Sequence, residues 1–129
     1  MQWHVDTIPW QETGSDGTKY ALLDGARDGS SVSFSYAFAI PAGFWDPSHW
    51  HTQTAHVFVM QGTLYLGYGN QMDQRQATAY PAGSYVIVPA NAVHFDGSDE
   101  DTIILGVVNG AWRTHYVDSQ HVPSAGTPE

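Results

Sequence analysis

At 129 residues, with 42% hydrophobic and 13% charged side chains, the chain is sized for one domain with a real core and is too apolar for general disorder. Thirteen acidic against four basic residues give a net charge of −9, which leaves no basic cluster to hold nucleic acid or an anionic membrane surface. The absence of cysteine excludes disulfides and thiolate ligands, so any metal must be held by nitrogen or oxygen.

The opening MQWHVDTIPW has neither a basic start nor an apolar run, so no signal peptide is expected, and no stretch is apolar for long enough to span a bilayer. A cytoplasmic location is the resulting expectation. Residues 1–20 alternate aromatic and polar groups (Trp3, Val5, Ile8, Trp10) and loosen into ETGSDGTK, which predicts an edge strand or a packed N-terminal arm. Tyr20–Leu23 reads as a short strand, closed by Asp24-Gly25 and reopened after Asp28-Gly29. From Val32 to Ile40, Val32, Phe34, Tyr36, Phe38 and Ile40 share a bulky face, with Ser33, Ser35, Ala37 and Ala39 on a small one. The small face would leave room inside a barrel or allow tight sheet packing.

Pro41-Ala42-Gly43 ends that strand and opens GFWDPSHWHTQTAHVFVMQG, the stretch on which the functional reading turns. His49 and His51 are two apart, and in a strand such residues point to the same face. Two imidazoles so placed form half of a metal site, and His94 in PANAVHF is the best candidate to complete it. Ala55–Met60 and Thr63–Tyr68 read as strands joined at Gln61-Gly62, with Gly67, Gly69 and Asn70 marking the next turn. Asp73–Tyr80 predicts an exposed strand, Ser84–Val88 an apolar one, and Thr102–Val108 and Trp112–Val117 the last two. The segment 119–129 carries no apolar pattern and is expected to fray. Many short strands between Gly, Pro and Asn turns predict an all-β barrel or sandwich in a single domain, 1–129.

These residues resemble the cupin family. Its first motif begins with glycine, five residues and His-x-His, matched by Gly43 and His49-Trp50-His51. Its second runs glycine, five residues, Pro-x-Gly, two residues and His, matched by Gly83, Pro89-Ala90-Asn91 and His94. Asn91 stands where glycine is usual, a mild change because asparagine tolerates left-handed backbone. Ser98 stands where the motif commonly ends in asparagine. The resemblance implies a cupin-type jelly-roll β-barrel with a metal inside, and a homodimer.

One departure bears on the chemistry. Counting seven back from Gly62 places the family's metal-binding glutamate at Ala55, whereas the longer spacing after His51 lands on His56. If Val57 and Val59 face the interior, Ala55 does too, and His56 shares the outer face with Phe58 and Met60; recruiting His56 as a fourth ligand would need a bulge or a slip. The preferred site is three neutral imidazoles without a carboxylate. Such a centre keeps the full dipositive charge of its ion and favours an anionic, chelating substrate. By resemblance, three-His iron centres in cupins belong to dioxygenases, so Fe(II) is favoured over Mn, Ni or Zn and the expected substrate is a small enolate, phenolic or carboxylate. A Zn- or Mn-dependent lyase, isomerase or hydrolase and a non-catalytic small-molecule-binding cupin are the alternatives.

No catalytic acid, base or nucleophile is singled out. Trp45, Phe34, Tyr36, Phe38 and Gln53 are candidates to line a substrate pocket, though aromatic strand residues are more often plain core. Asp96 reads as a turn residue before Gly97, with orientation of a ligand imidazole or service as a base as the alternatives. His4, His115 and His121 read as surface or edge residues.

Overall fold

The computed structural model describes residues 1–121 together with 125 and 126. Its elements are β1 (Glu12–Thr13), β2 (Lys19–Asp24), β3 (Ser33–Ile40), β4 (Trp45–His51), β5 (Ala55–Gln61), β6 (Thr63–Tyr68), a 3₁₀ turn over Gln74–Gln76, β7 (Thr78–Pro81), β8 (Tyr85–Val88), β9 (His94–Gly97), β10 (Thr102–Asn109) and β11 (Thr114–Tyr116). Two antiparallel sheets, ordered β1-β2-β3-β10-β5-β8 and β11-β4-β9-β6-β7, face each other as a jelly roll. No helix among the described residues is long and apolar enough to cross a membrane.

The core lies between the sheets and is built from the alternation in the sequence. Phe34, Tyr36 and Ile40 on β3 point inward, as do Val57 and Val59 on β5 and Leu64 and Leu66 on β6. Val32 precedes β3 and is 90% exposed, so the bulky face begins at Phe34. The small face of β3 opens no interior room. Ala37 packs with Ala21 and Ile8, and Trp10 lies against them, so the N-terminal arm covers the outside of the sheet before joining it through β1.

Two turns explain motif positions. Asn91 adopts a φ of 66°, the left-handed conformation expected where the family carries glycine. Ser98 donates to the Thr63 carbonyl at 2.6 Å and accepts from the Thr102 hydroxyl at 2.9 Å, tying β6, β9 and β10 at a dry corner. The segment read as an exposed strand from Asp73 instead begins with the 3₁₀ turn, because the Asp73 carboxylate accepts from the Arg75 amide and curls the chain before β7. Of the segment expected to fray, residues 122–124 and 127–129 lie outside the described residues. Ala125 and Gly126 are buried.

A three-histidine centre between the sheets

His49 and His51 lie on β4, and His94 on β9 stands directly across the strand pair from His49. The ring centroids are 4.2 Å apart for His49–His94, 5.0 Å for His49–His51 and 5.2 Å for His51–His94. His49 and His94 are each 2% exposed, and the candidate ligand atoms of all three lie within 4.8 Å of one another.

The second nitrogen of each ring is committed elsewhere. His49 Nδ1 lies 2.6 Å from the Pro47 carbonyl, His94 Nδ1 2.9 Å from the Ala92 carbonyl, and His51 Nδ1 2.8 Å from the Thr114 hydroxyl. A carbonyl only accepts, so in His49 and His94 Nδ1 carries a proton, and in the neutral ring Nε2 is the nitrogen whose lone pair can face a cation. Burial, with His49 adding to it, holds His51 well below the ordinary histidine range and lowers His94 to about 3. Both rings are therefore neutral near pH 7, the form that binds metal.

Carboxylates are present after all, although not where the family places one. Asp46 on β4 and Asp96 on β9 are register partners, and with His49 they form a second group whose ligand atoms lie within 4.8 Å. Asp46 Oδ2 is 3.7 Å from His49 Nε2, and its Oδ1 accepts from the Tyr116 hydroxyl at 2.8 Å. Burial raises both carboxyls above the usual carboxylate range, against the opposing pull of His49. The three-histidine group itself holds no carboxylate, and this second group sets two carboxyls beside His49. Asp96 and Gly97 belong to β9 rather than to a turn, which aims Asp96 to the same side as His94.

Ala55 is 2% exposed on the inner face of β5, and His56 is on the other, its Nδ1 2.5 Å from the Tyr85 hydroxyl. A cavity of about 60 Å³ adjoins His49 and His51. Tyr36 and Phe38 line it, but Phe34, Trp45 and Gln53 are not among its lining residues. Phe34 is 1% exposed in the core, Trp45 lies over Gly97 and beside Tyr65, and the Gln53 side chain reaches toward Gly110. The lining residues that sequence reasoning missed include Trp112, Thr114 and Tyr116. The register of β11 on β4, Thr114 opposite His51 and Tyr116 opposite His49, is what brings them in. His121, read as a surface residue, has Nε2 3.7 Å from Asp46 and its ring 4.4 Å from Tyr116. His115 is exposed and stacks on Trp50 outside the sheet, and His4 lies in an exposed N-terminal turn.

The profile of the ChrR cupin-like domain matches residues 1–113. No curated protein matches the chain in sequence. Among solved structures, KdgF from Halomonas sp. is 13% identical with a TM-score of 0.65 over 85% of this chain and 94% of that one. An RmlC-like cupin from Shewanella frigidimarina NCIMB 400 is 15% identical with a TM-score of 0.65, covering 84% and 89%. A cupin-like protein from Thermotoga maritima MSB8 is 18% identical with a TM-score of 0.64, covering 85% and 90%. At such identities the likeness shows the fold alone.

Proposed function

This chain belongs to the ChrR cupin-like domain family, and from its site we propose a metal-dependent enzyme in which His49, His51 and His94 hold one divalent ion. The observation that carries the reading is the set of three converging imidazoles whose Nδ1 atoms are engaged elsewhere. We favour Fe(II) over Mn, Ni or Zn, and a three-His dioxygenase acting on a small chelating substrate. Iron held there would supply dioxygen activation, whereas zinc or manganese would supply Lewis acidity.

The chain's own groups do the rest. Tyr36, Phe38, Ile104 and Trp112 wall the cavity and exclude bulk water from the histidines. Asp46 and Asp96 put carboxyl oxygens beside His49, placed to take a proton from a substrate hydroxyl. The cavity holds only about four to six waters, well short of the about 150 Å³ that accommodates benzene, so a compact acid or enol fits better than an aromatic ring.

The carboxyl pair also favours a second reading, proton-transfer chemistry by a Zn- or Mn-dependent lyase, isomerase or hydrolase. Oxygen uptake separates the two: the dioxygenase consumes oxygen in step with substrate loss, and the Lewis-acid enzyme turns over anaerobically. A protein that binds a small molecule with no metal at all would be a non-catalytic carrier, and both readings would fail. The proposal includes a cytoplasmic homodimer joined through the uncharged outer face of β5 and β8, where Phe58, Tyr85 and Ile87 are exposed. Elution as a compact monomer at micromolar concentration would contradict the dimer.

A further inference from the structure

Five buried side-chain polar atoms among the described residues have no hydrogen-bond partner, and four of them belong to one cluster: Tyr20 Oη, Arg27 Nε, Arg27 Nη2 and Trp112 Nε1. Tyr20, Tyr36 and Trp112 form a continuous stack, with centroids 5.8 and 5.0 Å apart. The Arg27 guanidinium caps this stack, 4.8 Å from the Tyr20 ring and 5.4 Å from the Trp112 ring. Aromatic faces stabilise the cation but accept no conventional hydrogen bond, so the guanidinium edge keeps donors to spare.

Arg27 makes no ion pair among the described residues, and its Nη1 donates to the Gly126 carbonyl. The Arg27 and Trp112 groups can only donate, whereas the Tyr20 hydroxyl can also accept and takes a weak interaction from Arg27. Leaving such donors unmatched under cover costs stability, so an acceptor belongs here. Tyr20 and Trp112 line the cavity beside the histidines, and Arg27 and Trp112 line an adjoining outer pocket of about 370 Å³. Arg113 lines that pocket as well, so two of the chain's four basic residues meet there. Two acidic residues share it. Glu12 accepts from the Gly126 amide and Asp28 from the Ser30 amide, and neither pairs with Arg27. The Arg27 charge also reaches the metal side, as one of the lesser influences that lower His51.

We propose that Arg27, Trp112 and Tyr20 form a subsite for the carboxylate of a small organic acid, bridging the outer pocket and the cavity. The guanidinium fork matches the two carboxylate oxygens, and the indole N–H and phenol O–H supply further donors. Asp46 and Asp96 disfavour an anion next to His49, so a substrate's carboxylate is better placed on Arg27 while an uncharged oxygen faces the histidines. This deepens the enzyme reading by naming the substrate's class. It rests on that reading only for the word substrate, since the binding itself needs no metal.

The test is a ¹⁵N–¹H titration of chelator-treated full-length chain with acetate, glycolate and succinate, against acetamide, glycolamide and succinamide at matched ionic strength. The expected result is saturable movement of the Trp112 Nε1–H and Arg27 Nε–H signals with the acids and not with the amides. Arg27→Gln should weaken acid binding roughly tenfold to a hundredfold while the backbone spectrum stays dispersed. If that variant does not fold, Arg27→Lys, which keeps the charge and loses the fork, should show intermediate binding. No movement with any acid, equal movement with the amides, or undiminished binding in both variants would overturn the assignment. Because the metal is absent throughout, failure here leaves the three-histidine reading untouched, and the reverse also holds.

Discussion

At the scale of single residues, three bonds to Nδ1 aim the site. Thr114→Val removes the partner of His51 Nδ1 at nearly constant volume, and metal affinity measured by competition with a chromophoric chelator should fall about 10–100-fold. His56→Ala should leave it unchanged, because that ring faces Tyr85 on the other side of β5. Unaltered affinity in Thr114→Val would mean the ring is held by packing alone. His49 and His51 could be read from the sequence because two apart on a strand means one face, and Asp96 was within reach by the same parity from His94. Asp46 was hidden. It is three residues before His49, an interval that puts side chains on opposite faces of a regular strand. The irregularity between Asp46 and His49 in the pairing with β9 brings both to the same side.

Among elements, three cross-strand pairs set a glycine under an aromatic ring: Gly106 opposite Tyr36, Gly67 opposite Phe95 and Gly97 opposite Trp45. A Cβ on Gly106 would stand 2.3 Å from the Tyr36 ring, and one on Gly67 2.4 Å from the Phe95 ring. Gly106→Ala and Gly67→Ala should each destabilise by about 1–3 kcal/mol, read from urea midpoints. Tyr36 lines the cavity and Phe95 is not among its lining residues, so only Gly106→Ala should also weaken small-acid binding. Midpoints equal to the parent's would show that the rings move aside freely. Gly67 and Gly97 read as turn markers because composition reveals a glycine's freedom and not its partner, which lies on a strand distant in sequence. Bulky alternation on β3 was legible. The covering of its small face by Ile8 and Trp10 was not, since nothing local announces which segment folds back.

For the whole molecule, the buried groups around the histidines pull stability in opposite directions with pH. In the chelated protein, burial holds His51 and His94 below the ordinary value of about 6.5, so the unfolded chain takes those protons first. Stability from this source is intact above about 6.5 and declines as the pH falls toward the His94 value of about 3. Asp46 and Asp96 are raised, so their protonation in the folded state offsets part of that loss from above their ordinary value of about 4. Asp96→Asn should therefore show a larger drop in melting temperature between pH 7 and pH 5 than the parent, by calorimetry of chelated samples. An unchanged drop would mean Asp96 does not take up a proton on this path. The central claim is that one ion sits among His49, His51 and His94, and equilibrium dialysis followed by elemental analysis tests it most directly. One divalent ion per chain in the parent, retained in His56→Ala and lost in His94→Ala, is the predicted result. A parent that stays empty after soaking in iron, manganese, nickel and zinc salts, or a His94→Ala variant that still binds a full equivalent, would contradict it.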